Sequence, residues 1–229
     1  MMIGENIENI RKELPSEVKL VAVSKFHPSS AIAEAYAAGQ RVFGENRPQE
    51  FEKKVRELSL PGPDGTVACP GIEWHFIGHL QTNKLKMVLP YADLVQSVDS
   101  VHLLDEIQKW GKANDKVINV LLEIHLGAEE TKTGLYEEEV LDILFNAAKY
   151  THVRFHGLMG MASHTEDMDV VRADFQRISA YMDYLKDLFP EYEDFKELSI
   201  GMSGDWQIAV ECGSTMVRVG TAIFGPREY

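Results

Sequence analysis

Apolar segments of strand length alternate with longer amphipathic segments along the whole sequence. The first amphipathic segment places Ile3, Ile7, Ile10 and Leu14 on one helical face, and Pro15 ends it. The apolar segments that follow are rich in Val, Ile, Leu and aromatic residues, as parallel strands covered on both faces should be. They predict strands at Val18–Lys25, Arg41–Asn46, Glu73–Gly78, Asp93–Val98, Ile118–Leu126, Val153–Ala162, Glu197–Met202 and Met216–Gly220.

The segments between these strands carry helix signals. Pro48 suits the first position of a helix, Ser100 suits an N-cap, and the three acidic residues from Glu137 suit an N-terminal turn. The predicted helices are Ser29–Ala38, Pro48–Leu58, Ser100–Trp110, Glu137–Tyr150, Asp167–Phe189 and Gly204–Cys212.

Eight strands separated by helix-sized connections are the count of a closed (β/α)8 barrel, the TIM barrel. We therefore predict an α/β fold with an extra N-terminal helix, in which residues 1–229 form a single domain. The turn-rich segment Leu60–Gly71 is predicted to be a surface loop. An open doubly wound sheet is the alternative, but no G-x-G-x-x-G turn follows the first predicted strand.

Composition narrows the classes of partner. The chain has 36 acidic and 23 basic residues and a formal net charge of −13, which argues against nucleic acid and anionic membranes as partners. The N-terminus lacks the features of a secretory signal, and no apolar run reaches the roughly 20 residues of a membrane span. We therefore expect a cytoplasmic protein. Cys69 and Cys212 fit no metal or redox spacing, and no metal site is expected.

Lys25 is the first candidate for chemistry. It ends the segment VAVSK, where strand alternation puts it on the face of Val21 and Val23, at the carboxyl end where barrel active sites lie. A partly desolvated amine at that place has a lowered pKa and can form a Schiff base. On this motif alone, a lysine that merely extends along the barrel rim explains the pattern equally well.

Two loops of small residues supply candidate anion donors. One follows the seventh predicted strand and contains Ser203, and the other leaves the eighth and contains Thr221. Barrels frequently bind phosphate with these two loops, using hydroxyls and the free N–H groups of the helices that follow. Either loop alone is better explained as an ordinary turn, whereas their joint occurrence favours a phosphate site.

Arg218 interrupts an apolar strand, on the face of Met216 and Gly220, so its buried guanidinium needs an acceptor. A salt bridge to an acid such as Glu45 or Glu123 would supply one. A ligand's ring nitrogen or phosphate would do so equally.

Weaker candidates lie on or directly after the second and third predicted strands. Asn46 either binds a ligand or braces its own loop. His75 and His79 are four residues apart, but Gly78 argues against a helical metal pair.

Taken together, these segments closely resemble the pyridoxal phosphate (PLP) homeostasis proteins. The matching segments follow the expected order over nearly the whole chain. They are VAVSK at 21–25, FGEN at 43–46, WHFIGHLQTNK at 74–84, KTGL at 132–135, GLMGMA at 157–162, LSIGMSGD at 198–205 and GSTMVRVGTAIFG at 213–225.

The resemblance implies a barrel like the N-terminal domain of alanine racemase, of PLP fold type III, without the racemases' C-terminal β domain. It implies PLP as the cofactor, bound as a Schiff base to Lys25, with Arg218 near the pyridine nitrogen. Ser203, Gly220 and Thr221 would hold the phosphate and Asn46 would lie beside the cofactor, with Met202, Gly204 and His75 as further contacts. The segment from Glu123 to Gly127 departs from the usual asparagine-containing pattern and is assigned no role.

The resemblance favours a monomeric PLP carrier that serves PLP homeostasis, with PLP-dependent apo-enzymes as candidate recipients. An arginine at the ring nitrogen makes the ring a poorer electron sink, and the chain ends at Tyr229 without room for a second catalytic domain. A low-activity amino-acid racemase is the alternative, with His75 or His164 as the second base. Without the resemblance, the same lysine and loops also suit a Schiff-base aldolase or a sugar-phosphate isomerase.

Overall fold

The structure, a computed structural model, describes residues 2–126 and 133–226. In this part of the chain, eight parallel strands close into a barrel in sequence order, and the eighth strand pairs with the first. The strands are β1 (Lys19–Val23), β2 (Val42–Glu45), β3 (Glu73–Phe76), β4 (Leu94–Val98), β5 (Ile118–Ile124), β6 (Val153–Gly160), β7 (Glu197–Ser199) and β8 (Met216–Val219). The predicted closed barrel is confirmed, and the open sheet is wrong.

Helices cover the outside of the barrel. They are α1 (Ile3–Glu13), α2 (Ser29–Ala37), α3 (Pro48–Leu58), α4 (Leu85–Val88), α5 (Val101–Asn114), α6 (Glu137–Phe145), α7 (Met168–Leu188), α8 (Trp206–Glu211) and α9 (Thr221–Phe224). Two 3-10 turns, Thr82–Lys84 and Ala147–Lys149, precede α4 and follow α6. No helix within the described ranges is long and apolar enough to cross a membrane.

The apolar core has two layers, as a barrel requires. Inside the barrel, Val21, Leu94, Leu121, Met159 and Met216 pack across from one strand to another. A larger cluster fills the space between the strands and the helices. This double burial explains why the strands are mainly apolar on both faces.

The N-terminal helix packs against α2 and against α9, the short helix that follows β8. Ile7 and Ile10 of α1 are buried, and the helix contacts α2 and α9. The Asn6 side-chain amide donates a hydrogen bond to the carbonyl of Ile223 in α9, at 2.8 Å. The first helix therefore supports the chain segment that follows β8.

Two predicted helix ends are wrong, for different reasons. The helix that begins at Ser100 continues past Gly111 to Asn114, because Gly111 serves close packing: a Cβ there would lie 2.7 Å from the Lys116 carbonyl. The helix predicted to reach Tyr150 ends at Phe145 and is followed by the second 3-10 turn.

Candidate functional site

The carboxyl ends of the strands surround a cavity of about 490 Å³. Eight of the nine candidate residues line it, namely Lys25, Asn46, Met202, Ser203, Gly204, Arg218, Gly220 and Thr221. The barrel therefore brings together residues that are up to 196 positions apart in the sequence, from Lys25 to Thr221. Barrel enzymes place their sites at this end.

Lys25 follows β1 by two residues and is half-buried at the cavity wall. The residue before it, Ser24, is fixed from outside the barrel. Its hydroxyl donates to Glu45 Oε1 at 2.6 Å, and its carbonyl accepts from Lys54 Nζ at 2.9 Å. Lys54 also pairs with Glu45 at 2.6 Å, and both side chains are almost completely buried. An ion pair on β2 and α3 thus holds the backbone that presents Lys25.

The residue after Lys25 is held as well. Phe26 has a φ of 68°, in the left-handed region that non-glycine residues rarely adopt. Its N–H donates to Glu50 Oε2 at 3.1 Å, and the Arg47 guanidinium lies 4.3 Å from the centre of its ring. Glu50 lies in the first turn of α3 and Arg47 is its N-cap, so this helix and its cap constrain the lysine loop on either side of Lys25.

The loops after β7 and β8 meet at Ser203. Its hydroxyl oxygen accepts hydrogen bonds from the N–H groups of Gly220, at 3.2 Å, and Ala222, at 3.4 Å. The N–H groups of Ser203, Gly204 and Thr221 make no hydrogen bond within the described part of the chain. Free backbone donors on two joined loops form an anion-binding surface.

Gly220 lies against the strand that leads to Lys25. A Cβ at Gly220 would lie 3.1 Å from the Val23 carbonyl oxygen, which is closer than most side-chain contacts. The absence of a side chain lets the loop after β8 approach the end of β1. The anion-binding surface and the lysine are therefore neighbours.

Arg218 points into the barrel and is 5% exposed. One terminal nitrogen donates to the Ser199 carbonyl and hydroxyl, both at 2.7 Å, and the other donates to the Gly160 carbonyl at 2.9 Å. Burial lowers the pKa of the guanidinium to about 10, while the charges of Glu123 and Asp205 oppose the shift. The salt bridge considered for Arg218 is absent among the described residues, since Glu45 pairs with Lys54 instead.

Asn46 and Gly78 line the cavity just beyond β2 and β3. The Oδ1 atom of Asn46 is buried and has no hydrogen-bond partner in the described residues. A Cβ on Gly78 would lie 2.2 Å from the Asn46 carbonyl oxygen, so only glycine allows this approach of the β3 loop to the β2 loop. A buried acceptor that faces a cavity without a donor is a common property of a ligand site.

His75 is the candidate that the structure does not bring to the cavity. Its side chain is 0% exposed inside the barrel. Its Nε2 lies 2.8 Å from Glu73 Oε1, and its Nδ1 lies 2.7 Å from Gln96 Nε2. Because Glu73 begins β3, the ring is directed towards the amino end of the barrel and away from the mouth.

Glu123 also lines the cavity, although it was not among the candidate ligand residues predicted from the sequence. It is 4% exposed, and its carboxyl group makes no hydrogen bond or ion pair within the described ranges. Burial, reinforced by the nearby charge of Asp99, raises the pKa of Glu123 to about 7. Strand alternation is the signal that could have found it, because Glu123 shares the inward face of Leu121.

His79 also lines the cavity and is paired with Asp99. His79 Nδ1 lies 2.6 Å from Asp99 Oδ2, with the histidine exposed and the aspartate buried. Among the described residues, no group of His, Cys, Asp and Glu has the arrangement of a metal site. His75 in β3 and His79 in the loop after it therefore have separate partners.

Comparisons with known proteins agree with this architecture. The family profile described as "Alanine racemase, N-terminal domain" matches residues 2–228. The pyridoxal phosphate homeostasis protein of Vibrio alginolyticus is 37% identical, over 99% of this chain and 98% of the relative. The structure of PipY from Synechococcus elongatus PCC7942, solved with PLP bound, has a TM-score of 0.88 and 35% identity, with 97% of this chain and 100% of that chain covered.

Full alanine racemases share the fold and are longer. The alanine racemase of Clostridium difficile 630 has a TM-score of 0.73 at 15% identity, and the match covers 96% of this chain but 55% of that one. At this identity the likeness concerns the fold alone. From its sequence matches and its barrel, this chain belongs to the alanine racemase N-terminal domain family and, within it, to the pyridoxal phosphate homeostasis proteins.

Proposed function

We propose that this protein binds PLP at the barrel mouth, covalently through Lys25, and holds it in the service of PLP homeostasis. One observation carries the proposal: a single cavity contains an amine, a surface of anion donors and a buried cation. PLP has an aldehyde, a phosphate and a pyridine ring. The amine suits the aldehyde, the anion donors suit the phosphate, and the cation suits the ring nitrogen. PLP-bound PipY and the names of the curated relatives support the same ligand.

The residues present fit this cofactor. The free N–H groups of Ser203, Gly204 and Thr221 suit a phosphate, and Gly220 keeps that surface beside Lys25. The unpaired Oδ1 of Asn46 suits a donor on the ligand. When bound, PLP supplies an aldehyde that condenses with amines and a ring that accepts electrons. The ligand set that we propose is Lys25, Asn46, Met202, Ser203, Gly204, Arg218, Gly220 and Thr221, without His75.

Arg218 favours holding over turnover. Although burial lowers the pKa of the guanidinium, it is still about 10. The group therefore stays charged at neutral pH and does not give up a proton. We propose that it faces the ring nitrogen, which then stays unprotonated and draws less charge from a bound substrate. A slow or inactive cofactor carrier follows.

A visible spectrum tests this function. After incubation with PLP and desalting, we expect a Schiff-base band that Lys25→Ala abolishes. Lys53→Ala, which removes an exposed lysine on α3, should leave the band unchanged. A band of equal height in Lys25→Ala would overturn the proposal.

A low-activity racemase is the second candidate, and Glu123 is the observation that favours it. With a pKa raised to about 7, this carboxyl group can take or give a proton near neutral pH, in the same cavity as Lys25. His75, considered earlier as a second base, lies outside the cavity. A panel of D- and L-amino acids separates the two functions: racemisation faster than that by free PLP, and lost in Glu123→Gln, would favour the racemase.

We further propose that the chain acts as one domain and as a monomer in the cytoplasm, with PLP-dependent apo-enzymes as recipients. The continuous barrel and the core shared by all its strands support the single domain. Mixing the PLP-loaded protein with an apo-enzyme in the presence of a scavenger of free PLP tests direct transfer. Activation that the scavenger abolishes would contradict a direct recipient.

A further inference from the structure

We propose that Ser199, Gln96 and His75 form a hydrogen-bonded chain through the barrel interior that positions Arg218 in the cavity. The chain begins at the guanidinium and ends at the Glu73 carboxylate, near the amino end of the barrel. Its members are positioning residues, since only Arg218 lines the cavity. The relevance to a ligand rests on the proposed function, whereas the effect on Arg218 does not.

The first link fixes the serine hydroxyl. A guanidinium can only donate, so the Ser199 hydroxyl oxygen accepts from Arg218 at 2.7 Å. Its hydrogen is then directed to Gln96 Oε1, also at 2.7 Å. Both distances are typical of strong hydrogen bonds. The serine therefore connects β8 with β4 across the barrel.

The second link fixes the amide and the imidazole. Because Gln96 Oε1 faces Ser199, its Nε2 donates to His75 Nδ1 at 2.7 Å and also contacts Met216 Sδ at 3.0 Å. His75 then carries its hydrogen on Nε2 and donates to Glu73 Oε1 at 2.8 Å. Every bond runs in the same direction, from the guanidinium to the carboxylate.

The chain ends in a full negative charge. The hydrogen bond from His75, with a second from Lys19, lowers the pKa of Glu73 to about 2 in spite of its partial burial. A carboxylate at one end and a guanidinium at the other polarise the groups between them. The chain thus supplies Arg218 with a compensating acceptor, although no carboxylate of the described residues forms an ion pair with it.

Burial makes the chain unusual for a barrel interior. Ser199, Gln96 and His75 are each 0% exposed and lie among apolar inward residues such as Val21 and Leu121. Buried polar side chains are costly unless each donor and acceptor is matched, and here they are matched. The matched chain fixes the orientation of Arg218 and keeps it directed at the cavity.

Chemical modification of the PLP-free protein tests the chain. Gln96→Met removes the acceptor for the Ser199 hydroxyl at nearly constant volume. The hydroxyl is then no longer oriented to accept from Arg218, and phenylglyoxal should modify Arg218 about tenfold faster. Gln96→Glu keeps an acceptor towards Ser199 and should stay close to the original protein. Gln40→Met is the matched control, since Gln40 is similarly buried but bonds to the carbonyls of Leu20 and Val42 and to the Arg11 guanidinium, and not to Ser199 or His75.

Equal modification of Arg218 in Gln96→Met and the original protein, read by peptide mass spectrometry, would overturn the proposal. Equal acceleration in Gln40→Met would also overturn it, because general loosening would then explain the result. If Gln96→Met does not fold, Ser199→Ala replaces it, with Ser214→Ala as the control. Ser214 is a buried serine that bonds to the carbonyls of Leu198, Ile200 and Met216 and not to Arg218.

A second readout uses the PLP-loaded protein. We expect Gln96→Met to shift the maximum of the visible band and to raise the PLP concentration for half-saturation about tenfold, with Gln96→Glu and Gln40→Met close to the original. If the original protein shows no band, the proposed function fails, and the modification experiment still decides on the chain. A shift that Gln40→Met shares would contradict the chain.

Discussion

Asn46 has a buried acceptor without a donor, and its replacement separates a ligand role from a structural one. Asn46→Ala should lower PLP affinity about tenfold, since one hydrogen bond to the ligand is lost. Without PLP the variant should unfold at the same temperature as the original or higher, because an unsatisfied polar atom is removed. PLP titration and thermal unfolding of both forms measure this.

Asn119→Ala is the control for that experiment. Both polar atoms of Asn119 have partners, the Asp93 carbonyl at 3.0 Å and His156 Nε2 at 3.0 Å. It should lose stability without a change in PLP affinity. If Asn46→Ala and Asn119→Ala lose equal stability in the absence of PLP, Asn46 has a structural role in its own loop and not a ligand role.

Glu123 predicts an unusual dependence of stability on pH. Burial raises its pKa in the folded protein from an ordinary value of 4.5 to about 7. Between these values the folded chain binds a proton that the unfolded chain has released, so the free energy of unfolding falls as pH rises. Relative to Glu123→Gln, the PLP-free protein should lose on the order of 2 to 3 kcal/mol between pH 5 and pH 8. If the unfolding free energies of the original protein and Glu123→Gln, measured in urea, depend on pH in the same way, the raised pKa of Glu123 is contradicted.

Single residues differed in how well the sequence predicted them. Lys25, Ser203 and Thr221 follow strands at the end where barrel sites lie, so position and residue type were enough to nominate them. Glu123 was considered only as an ion-pair partner of Arg218 and not as a site residue, because no motif marks it and its role depends on which face of the strand points inward. His75 was included through a resemblance of segments, which does not tell the amino end of a barrel from its mouth.

At the scale of elements, α3 fixes the loop of Lys25 through Lys54. Lys54→Met leaves the Glu45 carboxyl group buried without its cation, and should cost about 3 to 5 kcal/mol of unfolding free energy. Lys53→Met, one position earlier on the exposed face, should change it by less than about 0.5 kcal/mol. Urea unfolding of the PLP-free protein measures both.

Removing both charges completes this comparison. Lys54→Met combined with Glu45→Met should recover most of the loss, because a buried pair replaced by apolar side chains is close to neutral. A double variant as unstable as Lys54→Met would show that packing by the lysine, and not its charge, supports the loop.

Element boundaries show where sequence patterns lose information. Ser100 was correctly predicted as an N-cap, and its hydroxyl accepts from the Leu103 N–H at 3.2 Å. Gly111 looked like the end of the same helix but is an interior residue packed against the neighbouring segment. The helix ends instead at Asn114, and no sequence signal indicated the left-handed conformation of its C-cap, Asp115. The helices α4 and α9 have only four residues each, which is too few to show the helical periodicity of apolar residues in the sequence.

At the scale of the whole molecule, the barrel could be predicted because each strand is buried on both faces and each helix on one. These burial patterns fix the order and number of elements, and closure follows from the count of eight. The interior chain from Arg218 to Glu73 could not be predicted, because its links join β8, β7, β4 and β3. Only the closed barrel brings those strands face to face.

The central claim is that Lys25 carries PLP, and the site of attachment tests it most directly. The protein is loaded with PLP, reduced with borohydride, digested and analysed by mass spectrometry. We predict a phosphopyridoxyl group on the peptide that contains Lys25, in close to one copy per chain. Modification spread over exposed lysines such as Lys53, with Lys25 unmodified, would contradict the claim.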